Sequence, residues 1–259
     1  MAHTCLSPHA CAAIAEEIVQ DISANPTSNE IFEKASAALI RKSKLAATQY
    51  SLKRSLFDLG PEGHNFETFV ARYFETLNYQ TFERVTVQGR YVTHEIDVVA
   101  TLLKERLFVE CKFHNRLGIK NDIKVALYVK ARWDDVKEGP EGKGLSSFYL
   151  ASNTAFSGDA LKYAKGTGLK LLGVNAPEGE SFLSQLMALK LYPITSLTKI
   201  DKTIKREAIA KKIVLAKDLL DHKELLQSLG CSENDISEIC EEICLLTKES
   251  CENKILGCN

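Results

Sequence analysis

The spacing of apolar residues changes along the chain. In the first sixty residues they recur every three or four positions: Cys11, Ile14, Ala15, Ile18, Val19 and Ile22, then Ile31, Ala35, Ala38 and Leu39, then the stretch AATQYSLKRSLFDLG ending at Gly60 and Pro61. That period predicts three helices. Ser7 ahead of Pro8 is a helix-start signal, and Thr27 with Glu30 has capping-box spacing. A fourth amphipathic stretch, FETFVARYFETLNY, lines up Phe66, Phe69, Val70, Tyr73, Phe74 and Leu77, a stripe wide enough to pack on something large. The period then shortens to two. TFERVTV, THEIDVVA and RLFVECKF read as strands, Lys120 to Trp133 as a helix, SSFYLASN as a strand, GDALKYAKGTG as a helix stopped by its glycines, and LKLLGVN as a last strand.

Strands alternating with helices make this an α/β chain. The pattern divides it into a helical unit over residues 1–60, a mixed unit over 61–180 and a helical region over 181–259. In the last of these, two short helices meet at Leu229, Gly230 and Cys231. At 259 residues, 45% hydrophobic and 26% charged, the composition excludes a disordered or fibrous protein. No apolar run approaches the roughly 18 residues of a membrane span, and no signal-like leader opens the chain, so a cytoplasmic protein without membrane contact is expected.

The eight cysteines form no CxxC pair and read as reduced thiols. A zinc site from Cys231, Cys240, Cys244, Cys251 and Cys258 is the competing reading; the simpler one puts Cys240 and Cys244 on the buried side of one helix. The net charge of −1 conceals an uneven distribution: Lys199–Lys212 holds six basic residues against two acids, and Glu233–Glu252 seven acids against Lys248 alone. That polarity disfavours a surface that binds polyanions all over and leaves room for a local phosphate-facing patch.

The chemistry concentrates in THEIDVVATLLKERLFVECKFHNR, Thr93 to Arg116. Strand alternation puts Leu107, Val109, Cys111 and Phe113 on one, apolar face and Phe108, Glu110, Lys112 and His114 on a second, largely polar one. In the preceding strand Ile96 and Val98 face one way and Glu95, Asp97 and Val99 the other. A hairpin centred between Leu103 and Lys104 places Asp97 directly across from Glu110, with Cβ atoms roughly 5 Å apart. Two carboxylates that close repel unless a cation lies between them, and paired oxygens are hard ligands suited to Mg²⁺. Lys112 on the same face can position or deprotonate a water, or stabilise negative charge in a transition state. The plainer reading is an exposed sheet face carrying a Glu110–Lys112 ion pair. Glu67, in the first turn of its helix, reads either as a helix-dipole partner or as a third acid.

Asp97, Glu110 and Lys112, with a helix bearing Glu67 ahead of them, resemble the signature of the PD-(D/E)xK nuclease superfamily, and within it the Mrr-like restriction endonuclease domains. The likeness runs from about Gly63 to Pro177 through FETFVARYFETLNY, HEIDVVA, FVECKF and YLASNTAFSGDALKYAKGTGLKLLGVN; Ile96 stands where that family carries proline. It implies a restriction-endonuclease-like mixed β-sheet core flanked by helices, with helical additions at both ends. It also implies a DNA endonuclease with Asp97, Glu110 and Glu67 as metal ligands for Mg²⁺ or Mn²⁺ and Lys112 as the catalytic lysine. A catalytically idle nuclease fold that binds DNA or senses a nucleotide is the alternative. His94 and His114 flank the site as rim residues or proton shuttles.

AATQYSLKRSLFDLGPEGHNFETFV also resembles the end of an ATP-cone domain leading into a nuclease domain, with the phosphate-reading hairpin missing. Weak or no ATP binding is expected, Lys53 and Arg54 lying on a solvated helix or facing a phosphate. LLDHKELLQSLGCSENDISEICEEI faintly resembles a helix-hairpin-helix, whose turn amides hold a DNA phosphate, but it carries one of the two expected glycines, and an ordinary helical pair is the simpler reading. The basic run Lys199–Lys212 is the better candidate for DNA-backbone contact. A homodimer is compatible with all of this.

Overall fold

The computed structural model describes residues 6–116 and 118–247. Cys251, Cys258 and the acidic residues Glu249 and Glu252 lie outside them.

Three helices open the chain: α1 (Pro8–Asp21), α2 (Ser28–Lys42) and α3 (Lys44–Phe57). Ser7 and Thr27 cap the first two through their hydroxyls. Glu30 also takes the N–H and hydroxyl of Ser23. The apolar stripes are narrower than the spacing predicts: Ile14 and Ile18 are buried with Ala35, Ala38 and Leu39, but Val19 and Ile31 are exposed. Three slender helices have too little mutual surface to cover more. The second half of α3 leaves that cluster, and Leu52 and Leu56 enter the main core.

The main core is built on a five-stranded sheet in the order β1-β2-β3-β5-β7. Strands β1 (Gln80–Gln88), β2 (Thr93–Leu102) and β3 (Glu105–Lys112) are antiparallel; β5 (Leu145–Ser152) and β7 (Lys170–Leu172) join β3 in parallel. Two-residue strands β4 (Lys120–Asn121) and β6 (Ala155–Phe156) pair beside it. One face is covered by α4 (Gly63–Thr76), and α7 (Phe182–Ala188), α8 (Lys202–Ala210), α9 (Lys223–Ser228) and α10 (Glu233–Thr247) extend the same core. The other is covered by α5 (Ile123–Glu138) and α6 (Gly158–Thr167). This is a mixed α/β sheet flanked by helices, of restriction-endonuclease type.

Covering both faces changes what a polar strand position means. Phe108, on the face expected to be largely polar, is fully buried with Val99 and Phe148 under α5 and α6. Ile96 and Val98, expected on one face, lie in opposite core layers. The cause is local: Arg84, which falls between the β1–β2 pairs Glu83–Val98 and Val85–Ile96, has φ of 52°, a left-handed conformation that interrupts the alternation of both strands.

In the C-terminal region Cys240 and Cys244 are both buried on α10. Cys111, Cys231 and Cys240 are free thiols, whereas Cys244 is disulfide-bonded, against the expectation of reduced thiols throughout. A five-cysteine zinc site reaches beyond the described residues. Around the α9–α10 turn the N–H groups of Leu229, Gly230 and Cys231 donate to carbonyls of α9, and that of Ser232 to Asp235. These turn amides, which a helix-hairpin-helix reading would offer to a phosphate, are engaged within the protein. Among the described residues no helix is long and apolar enough to cross a membrane.

Candidate active site

The hairpin register is the one the sequence predicts: Val98 pairs with Val109, Val99 with Phe108 and Leu102 with Glu105. The ladder stops at Val98–Val109, so Asp97 and Glu110 lie just past it. There Asp97 Oδ2 accepts the backbone N–H of Cys111 at 2.6 Å. The carboxylate of Asp97 thus lies in the gap where β2 and β3 part, reachable from both sides of the sheet.

Glu67 approaches from the α4 side. Because α4 begins at Gly63, Glu67 falls in its second turn and not in its first, which removes the helix-dipole reading. Its Oε2 is buried without a hydrogen-bond partner among the described residues. Burial, with Asp97 as the leading repulsive neighbour, pushes the Glu67 carboxyl up to about 7.

Glu110 lies on the α5 side, 17% exposed at its side chain. Burial and the charge of Asp97 also push it up to about 7. Burial raises Asp97 too, against the pull of the Cys111 N–H and of Arg132. The Cys111 thiol, half-buried beside the three acids, is pushed well above the ordinary thiol range by burial and by Asp97.

The partner of Glu110 is Arg132 of α5, whose guanidinium donates to Glu110 Oε2 and to the Glu95 carbonyl. Sequence reasoning missed Arg132, since twenty-two positions separate it from Glu110 and no strand or helix spacing relates them. Lys112 is exposed and forms no ion pair among the described residues, so the simple Glu110–Lys112 pair is not made. Lys112 is close enough to draw both Asp97 and Glu110 downward electrostatically.

Both flanking histidines are tied down. His94 Nε2 lies 2.7 Å from Asp135 Oδ2, and His114 Nε2 lies 2.9 Å from the buried Asn121 Oδ1. These contacts tie both histidines into the site's rim. In the basic run, Lys199, Arg206 and Lys212 pair with Glu238, Glu207 and Glu83, and Lys205 donates to the Thr195 carbonyl. Much of that positive charge is neutralised within the molecule. Arg54 is likewise engaged, with Asn29 Oδ1 at 2.8 Å and the Phe32 ring at 4.9 Å.

Among the described residues no three His, Cys, Asp or Glu side chains form a ready ligand cluster for a metal ion. The reason is visible: one Asp97 oxygen holds the Cys111 N–H, and Glu110 has turned to Arg132. The donor set nevertheless fits a hard divalent cation. Mg²⁺ is held by one or two carboxylates plus waters and substrate phosphate, not by a closed protein cage. An orphaned buried carboxylate oxygen, and two acids that burial and the charge of Asp97 push up, are what such a cation relieves.

Fold and acid cluster together define a domain of the restriction endonuclease type. The restriction endonuclease family matches residues 61–176, and the family described as AF1548-like, C-terminal matches residues 192–247. An uncharacterized protein of Archaeoglobus fulgidus is 38% identical over 174 residues, an alignment covering 67% of this chain and 97% of that protein. The crystal structure of a protein of unknown function, AF1548, superposes with a TM-score of 0.58 at 35% identity, over 73% of this chain and 100% of that one. The chain belongs to this AF1548-like family.

Proposed function

We propose that this protein is a divalent-metal-dependent DNA endonuclease that hydrolyses phosphodiester bonds. The observation that carries the reading is Asp97 at the gap between β2 and β3 with Glu67 near it on the α4 side and Glu110 near it on the α5 side, each with its proton affinity raised and one buried oxygen of Glu67 unpartnered among the described residues. Of the three only Glu110 is matched with a base, Arg132; Glu67 and Asp97 form no ion pair among the described residues, whereas a purely structural network of charges would pair them.

Asp97 and Glu110, with Glu67 assisting, are the residues that would hold Mg²⁺ or Mn²⁺. The cation supplies Lewis acidity toward the phosphate and a lowered pKa for a bound water. Asp97 is held at the strand gap by the Cys111 N–H, which fixes its free oxygen toward the site. Lys112, exposed at the end of β3, places its ammonium where negative charge grows on the phosphate oxygens and hydrogen-bonds the attacking water. Glu67 is the acid placed to assist the metal or to take a proton from that water.

The pairing of Glu110 with Arg132 favours a second reading, a catalytically idle fold that binds DNA or senses a nucleotide. Supercoiled plasmid incubated with Mg²⁺ or Mn²⁺ separates the two. Nicking by the wild type and none by Asp97→Ala supports the nuclease; tight DNA binding with no nicking under either metal supports the idle fold. The N-terminal helices are proposed as support or a dimer contact, and calorimetry showing saturable ATP binding at micromolar concentration would overturn that assignment.

A further inference from the structure

Arg132 holds an unusual place. Its side chain is 11% exposed and bridges the Glu110 carboxylate and the Glu95 carbonyl. The guanidinium also lies 5.6 Å from the ring centroid of Tyr128, one turn earlier on α5, a residue that is 62% exposed. One end of the contact chain is therefore at a candidate metal ligand and the other is at the surface. A guanidinium and a divalent cation on one carboxylate repel strongly in so dry a place, so they compete. The planar fork of arginine matches a phosphate as well as it matches a carboxylate.

We propose that Arg132 is an exchangeable counter-cation of Glu110: it holds the carboxylate until a divalent cation takes its place, and the released guanidinium then binds a phosphate oxygen of the DNA. The inference rests on the nuclease reading and deepens it. No bond is made or broken in the exchange; one cation replaces another on Glu110, and Arg132 moves along Tyr128 toward the substrate.

The test is Mn²⁺ binding by calorimetry to the full chain without DNA, with plasmid nicking in parallel, for the wild type, Arg132→Gln, Arg132→Lys and Asp97→Ala. Arg132→Gln keeps a donor for the Glu95 carbonyl and removes the charge. It is expected to bind Mn²⁺ about tenfold or more tightly than wild type, the factor to which ~1.4 kcal/mol of lost competition corresponds, while its nicking at saturating metal falls. Arg132→Lys, which folds with the charge in place, is expected to stay within about threefold of the wild-type Mn²⁺ affinity, a factor worth less than ~1 kcal/mol. Equal or weaker Mn²⁺ binding by Arg132→Gln, with nicking that still depends on Asp97, overturns the exchange and leaves the nuclease standing. Absence of Mn²⁺ binding in wild type and Arg132→Gln alike sinks both.

Discussion

The backbone N–H of Cys111 reaches Asp97 Oδ2 at 2.6 Å, immediately past the last β2–β3 ladder pair, so this side chain both closes the sheet's hydrogen bonding and opens the site. The two roles separate by substitution. Asp97→Ala strands a backbone donor and should cost about 1–3 kcal/mol of stability. Asp97→Asn keeps an acceptor there and removes a charge that burial opposes, so its melting temperature should equal or exceed that of the wild type. Both should lose nicking. Wild-type nicking by Asp97→Asn would reduce Asp97 to a strand cap.

Glu67 and Glu110, both raised to about 7, set a pH dependence whose sign is fixed. The folded state binds these protons more tightly than the unfolded chain, whose carboxyls titrate near 4.5. Stability from the two groups is therefore fully present below that value and lost as pH rises to about 7. Asp97, Glu83 and Glu95 push Glu67 in this direction and Arg84 resists; for Glu110, Asp97 pushes while Arg132 and Lys112 resist. Thermal melting of the metal-free protein should decline across that window, and Mg²⁺ should restore most stability above pH 7. Glu67→Gln should flatten part of the decline. A melting profile that rises from pH 5 to 7 would contradict the assignment.

The hairpin was readable because strand period and turn position fix register without tertiary knowledge, and Asp97, Glu110 and Lys112 came with it. Glu67 required the resemblance to place it, since its helix stripe alone allowed a surface acid. Three things lay beyond the sequence. The left-handed Arg84 splits Ile96 from Val98, and nothing in ERV marks an arginine for that conformation. Burial of both sheet faces makes Phe108 core, which alternation within one strand does not report. The Arg132–Glu110 pair depends on how α5 crosses the sheet, a property of packing and not of spacing.

Asn121 tests how far the rim supports the chemistry. It is 1% exposed, donates to Ser152 Oγ at 2.9 Å and Thr154 Oγ1 at 3.0 Å, and its Oδ1 meets His114 Nε2. Ser152 Oγ in turn donates to the Lys112 carbonyl at 2.7 Å, so the network ends on the strand residue that carries the ammonium. Asn121→Ala leaves several buried groups unpaired, each costing about 1–3 kcal/mol. A drop in melting temperature with reduced nicking and unchanged Mn²⁺ affinity is expected. Retention of wild-type stability would mean that water replaces the side chain at no cost.

Lys112 gives the sharpest separation between chemistry and structure. It is exposed at the end of β3 and makes no ion pair among the described residues, so little of the fold depends on its charge. Removing an exposed charge of this kind changes stability by about 0–1 kcal/mol. Losing a group aimed at developing negative charge raises a barrier by roughly 3–4 kcal/mol, a factor of about 10² to 10³ in rate. Lys112→Ala should therefore melt like the wild type, bind DNA nearly as well and nick plasmid about a hundredfold or more slowly. Lys112→Arg keeps the charge but not the compact ammonium, and should recover only part of the rate. If Lys112→Ala nicks at the wild-type rate while Asp97→Ala does not, the acids work without this lysine, and the role assigned to it passes to Arg132, the other cation at the site.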